Sequence, residues 1–267
     1  MSSMHVHNET PHRELAERID ELLAQAAPWV EKVTGLALPP VTISLVSPEE
    51  LATAYSAFMR RQVERDTADL DLSEWQRQKV AAMPDMAAAT ARTMWMAEES
   101  VLIATSIGQP STLIVPDALE HLGLTTPELL CTVVVRALAQ QAQVGACDGT
   151  LIPAPVWPII SPAQDAISQF SEGHTWWTSD QATPQILGRA VDHSPRRRPW
   201  AYLGRRMFLA VANAGAARRR ARATAFVDKA VTAAGLEAFN QVWRTPGLAP
   251  RLDDLRRPKE WISRLPG

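Results

Sequence analysis

The chain has 267 residues, 46% hydrophobic and 21% charged, with two cysteines and a formal net charge of −2. That is enough apolar material for a sizeable core, which excludes disorder as the default. With no apolar run judged long enough for a membrane span and a polar first stretch up to Pro11, a cytoplasmic protein that does not engage membranes is expected. The charge is uneven, with 10 basic and 23 acidic residues over 1–188 but 17 and 6 over 189–267. A basic half can serve a nucleic-acid or phosphate partner, or it can pack against the acidic half. Its arginines alternate with apolar residues at helical spacing and lack neighbouring aromatic platforms, which favours packing and argues against strong nucleic-acid binding.

In chain order, His5, His7 and His12 sit in a start that reads as a frayed terminus rather than a metal-binding tail. Leu15, Ile19, Leu22 and Leu23 recur at steps of three and four, so a helix is predicted over 11–32, ending near Gly35. The alternation in Pro40-Val41-Thr42-Ile43-Ser44-Leu45 predicts a strand. Ser47-Pro48-Glu49-Glu50 supplies a cap, a first-turn proline and acids for a helix to about Thr67. A second helical stretch over 68–96 is expected to break at Pro84. Short strands are predicted at Val101–Ile107 and Leu113–Val115, joined by Gly108-Gln109-Pro110. Thr126-Pro127-Glu128 starts an apolar helix running to about Val144. Four prolines between Gly149 and Pro162 mark a stiff connector, and Ser194–Pro199 a second one. Helices are predicted over 163–179, 200–214 and 216–234, followed by a turn over 236–243 and an extended tail. Cys131 and Cys147 lie in no metal-ligand spacing and are expected as buried free thiols.

The tail reads Gly235-Leu236-Glu237-Ala238-Phe239-Asn240-Gln241-Val242-Trp243, then Pro246, Leu248-Ala249-Pro250 and Arg257-Pro258-Lys259-Glu260-Trp261-Ile262-Ser263-Arg264. An Asn-x-x-Trp, spaced prolines and a Pro-x-x-Trp-x-x-Arg resemble the closing segment of the zincin-like metallopeptidase-like family. This is the zincin type 2 group, also described as coenzyme F420 biosynthesis-associated hydrolases. The resemblance runs from about Glu128 to Arg264 and includes the basic helix around Arg218–Val231. In that family one helix carries His-Glu-x-x-His followed by Gln-Phe, and a later one begins with Glu-Gly-His or Glu-Gly-Tyr. Two imidazoles one turn apart grip zinc while the intervening glutamate activates its water.

The second segment matches as Phe170-Ser171-Glu172-Gly173-His174. In the register the resemblance implies, Arg136 and Gln140 stand at the two histidine positions, Ala137 at the base, and Gln143 at the following glutamine. A guanidinium cannot ligate a cation, an amide is a poor zinc ligand, and alanine moves no proton. The resemblance therefore implies a protein that is not a His-Glu-x-x-His metallopeptidase, with no metal and no cofactor.

Thr132, Arg136, Gln140 and Gln143 fall on one helical face. An Arg136–Glu172 ion pair is the economical expectation, with guanidinium charge standing in for the metal. Two readings stay open for this face, a structural polar network in a retired site and a groove in which Arg136 holds an anionic group while Glu172 or His174 handles protons. Arg136, Glu172 and His174 are the catalytic candidates, with Gln140, Gln143 and Trp176 as binding candidates. A rebuilt metal site from His174 and His193 is a minor alternative. Trp176 and Trp177, with Trp157, read as core or interface more readily than as a pocket lining.

The fold class expected is α+β, mainly helical and zincin-like. A single domain over 1–267 is expected, with a small-sheet subdomain over about 11–125 and a helical part over about 126–267. The function expected is a degenerate zincin-like protein acting by ligand or protein binding. The alternative is a metal-independent enzyme repurposed for a small anionic substrate, for example in a biosynthetic pathway.

Overall fold

The computed structural model describes residues 3–104, 109–147, 162–191 and 203–266, with backbone only at 162–164, 203–214 and 246. The two proline-rich connectors, Trp157 and His193 lie outside the described residues. The protein is mainly helical with a four-stranded mixed sheet in its N-terminal half.

The start of the chain corrects the expectation of a frayed end. Met4–Asn8 forms strand β1, paired in parallel with β2 (Val41–Leu45) from Met4 opposite Val41 to Asn8 opposite Leu45. Parallel neighbours need a crossover, supplied by helix α1 (Arg13–Thr34). Strand β2 also pairs in parallel with β4 (Pro110–Ile114), and β4 pairs antiparallel with β3 (Val101–Ala104). The order across the sheet is β1-β2-β4-β3. Alternation along β4 sends Leu113 into one apolar cluster and Ile114 into another.

One cluster packs helices α2 (Pro48–Thr67) and α3 (Glu74–Met94) over the sheet through Phe58, Met59, Val63, Val80 and Met83. Both helices open with capping boxes, Ser47 with Glu50 and Ser73 with Gln76. Pro84 does not break α3, and Pro184 likewise lies inside a helix. An internal proline costs about 3 kcal/mol, and Pro84 lies buried between Val80 and Ala88 on the packed face of α3, where burial offsets part of that cost. Short helix α4 (Pro116–Leu122), not anticipated from the sequence, follows β4 and ends on Gly123 at φ 68°.

The other cluster surrounds α5 (Pro127–Ala146). By length and composition α5 would pass for a membrane span, contrary to the reading of the sequence, yet 83% of its apolar window is buried inside the protein. Gln141, fully buried, ties it to the sheet. The side-chain nitrogen donates to the Thr42 carbonyl at 2.8 Å and to Thr112 Oγ1 at 2.9 Å, and the side-chain oxygen accepts from Thr42 N. Cys131 and Cys147 are buried and free.

Helices α6 (Pro162–Leu187) and α7 (Leu203–Ala234) lie alongside. The latter is one helix, where the sequence suggested a break near Gly215. Helices α8 (Leu236–Arg244) and α9 (Pro258–Ile262) close the molecule, replacing the expected turn and extended tail. Asn240 on α8 donates to the Thr34 carbonyl at 2.7 Å, satisfying the end of α1.

Gly173 sets the α6–α7 spacing, since a Cβ there would fall 2.6 Å from the Ala223 carbonyl carbon. In an open helix Gly→Ala would gain up to about 1 kcal/mol. Here Gly173→Ala is expected to lose about 1–3 kcal/mol through overpacking. Urea unfolding decides the sign, and an unchanged or raised midpoint would show that the helices part without cost.

Candidate functional site

The polar face of α5 leads to two separate networks. In the first, Arg136, with 3% of its side chain exposed, donates from Nε to Glu99 Oε1 at 2.5 Å and from Nη2 to Glu99 Oε2 at 2.6 Å. Glu99 stands in the stretch between the 3₁₀ turn Trp95–Ala97 and β3. The same guanidinium lies 4.3 Å from the Trp176 ring centroid on α6. Arg220 of α7 also stacks on that ring at 4.1 Å and donates from Nε to Glu172 at 3.1 Å. Trp176 thus receives two cations, and each cation holds its own carboxylate.

The direct Arg136–Glu172 pair expected from the sequence does not form. Glu172 and Trp176 stand one turn apart on α6, so both belong to this network, but the carboxylate nearest Arg136 arrives from a different segment. Neither Glu99 nor Arg220 was singled out in the sequence. Arg220 lay inside the recognised basic helix, whereas Glu98-Glu99 carries no spacing that marks a site.

At the edge of this network Glu98 has exposed surface, and the protein crowded behind it still raises its carboxyl above the usual value. Desolvation is the larger cause, followed by the charges of Glu99 and Glu172. Tyr55 is raised by burial first and by Glu98 second. Two polar atoms on α5 lack hydrogen-bond partners among the described residues, Arg136 Nη1 and Gln140 Oε1, both buried. They are a donor and an acceptor one helical turn apart.

The second network sits in the core. Gln143 donates from Nε2 to the Ser171 carbonyl at 3.1 Å and to Thr175 Oγ1 at 3.0 Å, and its Oε1 accepts from Ser171 Oγ. Because the carbonyl can only accept, the amide nitrogen faces this way and shares its two hydrogens among the Ser171 carbonyl, Thr175 Oγ1 and His174 Nδ1, 2.9 Å from it, so Nδ1 is an acceptor. His174 is therefore neutral with its proton on Nε2, which has no partner among the described residues. It is fully buried against Phe239, Trp243 and Trp177, and burial lowers its pKa to about 3. The structure thus places Arg136, Glu172 and Trp176 together and sets His174 and Gln143 apart. Trp177 is core and donates to Asp228 at 3.3 Å.

Among the described residues no group of three or more His, Cys, Asp or Glu side chains is placed to hold a metal ion. Residues 170–262 match the family model described as zincin-like metallopeptidase, which covers the Glu-Gly-His segment and the recognised tail but not α5. Among curated proteins none matches this sequence. A crystal structure from Chloroflexus aurantiacus, described as "a putative hydrolase with a novel fold", superposes with a TM-score of 0.56 at 14% identity, covering 96% of this chain and 91% of that one. At that identity the likeness is one of fold.

Two outcomes are expected from these networks. Arg136→Ala should cost about 3–5 kcal/mol by stranding the Glu99 carboxylate, and Arg136→Met with Glu99→Leu should cost less than the two single changes added together; equal costs by urea unfolding would show the pair to be uncoupled. For His174, the folded form takes a proton only near pH 3 whereas the unfolded chain does so near 6.5. Between those values the unfolded chain holds more protons, so stability should fall as pH drops through the window, by up to about 1.4 kcal/mol per unit. His174→Phe should flatten that slope in melting curves recorded across the range.

Proposed function

We propose that this chain is a degenerate zincin-like protein that carries out no zinc-dependent proteolysis and acts by binding a ligand or a protein partner. The observation that carries the reading is the state of Arg136. In the register implied by the family resemblance it stands where the first zinc-binding imidazole would be. Its guanidinium is buried, bonded at two nitrogens by Glu99 and stacked on Trp176. The donor set does not fit zinc, because Gln140 is an amide, Ala137 offers nothing, and a fixed positive charge beside the position repels a divalent cation. No hydrolytic step can be routed through such a centre.

A binding role calls for surface that a partner can cover. Leu70, Trp75 and Met86 on and beside the α2–α3 hairpin are 46%, 58% and 63% exposed, and a protein partner would cover them. One observation favours a second reading, a metal-independent enzyme acting on a small anionic substrate. Glu98 is an acid whose carboxyl is raised above its usual value by burial first and by the charges of Glu99 and Glu172 second, and it raises Tyr55 in turn.

The test is elemental analysis of the full chain after incubation with zinc and desalting, paired with a peptidase assay on casein. The expected result is substoichiometric zinc and no cleavage. Stoichiometric zinc that is lost in Glu172→Gln, or casein cleavage abolished by a chelator, would overturn the reading. The triple change Arg136→His, Ala137→Glu and Gln140→His checks the register independently, since zinc uptake by that variant alone would place these positions at the lost site.

A further inference from the structure

Away from the Arg136 network, the face of α7 that meets the tail carries a pocket of about 260 Å³. Arg222, Phe226 and Lys229 line it at steps of four and three, which is one stripe of the helix. Arg256 and Pro258 close the other side, from the turn leading into α9. The floor is apolar, with Phe226 and Leu255 buried at 2% and 5% exposure.

Three cationic residues therefore line one small pocket, and among the described residues no acidic side chain joins them there. The acids nearby in sequence are turned elsewhere. Asp254 accepts from the Arg251 backbone and from Arg264, Glu260 pairs with Arg257, and Asp228 accepts from Trp177. Asp253 is exposed and does not line the pocket. Neither Arg222, Lys229 nor Arg256 makes an ion pair with a described residue. Like charges held together without counter-charge repel one another, and a bound anion relieves that repulsion.

We propose that this pocket is a binding site for a phosphomonoester carried on a compact apolar group. A phosphate dianion matches the charge better than a single carboxylate, and two guanidinium forks with one ammonium suit its oxygens. Phe226, Leu255 and Pro258 offer the contact surface for the apolar group. The volume is just below the roughly 300–1,000 Å³ of pockets for drug-sized ligands, so the ligand is a small one. The cleft between α2 and α3 is less suited, because its Arg60, Arg61 and Arg92 share the lining with Glu64 and Asp85.

The probe is phenyl phosphate, titrated into the full chain at about 0.15 M salt and followed by calorimetry and amide chemical shifts. Saturable binding with a Kd below about 1 mM is expected, with shifts mapping to 222–229 and 255–258. Inorganic phosphate should bind at least about threefold more weakly, having no apolar group to bury. The exposed pair Lys229→Gln with Arg256→Gln should weaken binding by about tenfold or more at an unchanged melting temperature, whereas Arg60→Gln with Arg92→Gln should leave it intact. No saturable binding of phenyl phosphate, or affinity that the Lys229 and Arg256 changes leave unaltered, would overturn the assignment. So would shifts mapping to the α2–α3 cleft, or displacement of the probe by a short DNA duplex at lower concentration, which would make the face a nucleic-acid surface.

Discussion

A guanidinium with almost no exposed surface sits in the middle of this protein, and much around it follows from the need to satisfy that charge. Arg136 cannot lose its proton, so the fold must bring a carboxylate to it. Glu99 does so from the stretch entering β3, which ties the sheet to the central helix α5. Trp176 covers the guanidinium and is itself covered by Arg220, which draws α6 and α7 into the same arrangement. The cation on α5 thus holds the Glu99 stretch and α6 directly, and α7 joins through the shared Trp176 ring. A hydrophobic replacement could fill the space, but it would not dictate which segments meet.

The residues that carry the family resemblance turn out to be architectural. Asn240 bonds the end of α1, Trp243 and Phe239 pack on His174 and Phe170, and Trp261 packs on Phe226 while its indole N–H donates to the Leu248 carbonyl. Gly173 of the Glu-Gly-His segment provides the close α6–α7 approach, and its histidine is a core residue. That explains how a chain can keep a recognisable tail while the polar face of α5 carries arginine and glutamine. The tail closes the core around α6 and α1, whereas the charge of Arg136 on α5 is satisfied locally by Glu99.

Much of the fold was legible because its signals are local. Ser47 heads a capping box, β2 alternates over five residues, and α5 begins at a proline with an acid beside it, whereas the box at Ser73 was not read from the sequence. The failures share a cause, namely tertiary packing overriding local preference. Pro84 stays helical because its face is buried, Gly215 passes unbroken within α7, and β1 is a strand only because β2 is there to pair with it. At the site, the sequence supplied Arg136, Glu172 and Trp176 but paired the first two directly. Glu99 could not be found that way, since nothing in the spacing of a Glu-Glu before a strand records which helix lies across from it. Gln141 was passed over beside Gln140 and Gln143, although it is the glutamine that fastens α5 to the sheet. Helical periodicity separates faces but does not say which face meets a backbone.

The bond from Asn240 to the Thr34 carbonyl spans 206 positions of sequence. It has a consequence for how the molecule comes into being during synthesis. The C-terminal end of α1 is completed by a residue translated near the end of the chain, and the aromatic cluster that seals α6 is likewise finished by Phe239, Trp243 and Trp261. A nascent chain that has emerged through α5 can already pack that helix on α1 and the sheet, but α6, which covers another face of it, does not yet exist. Contacts of such long range are slow to form, and the exposed helix is a surface for misassociation while it waits. The apolar face of α5 that α6 covers therefore stays open until the second half of the chain is made, and truncation before Asn240 removes the closure itself rather than trimming an appendage.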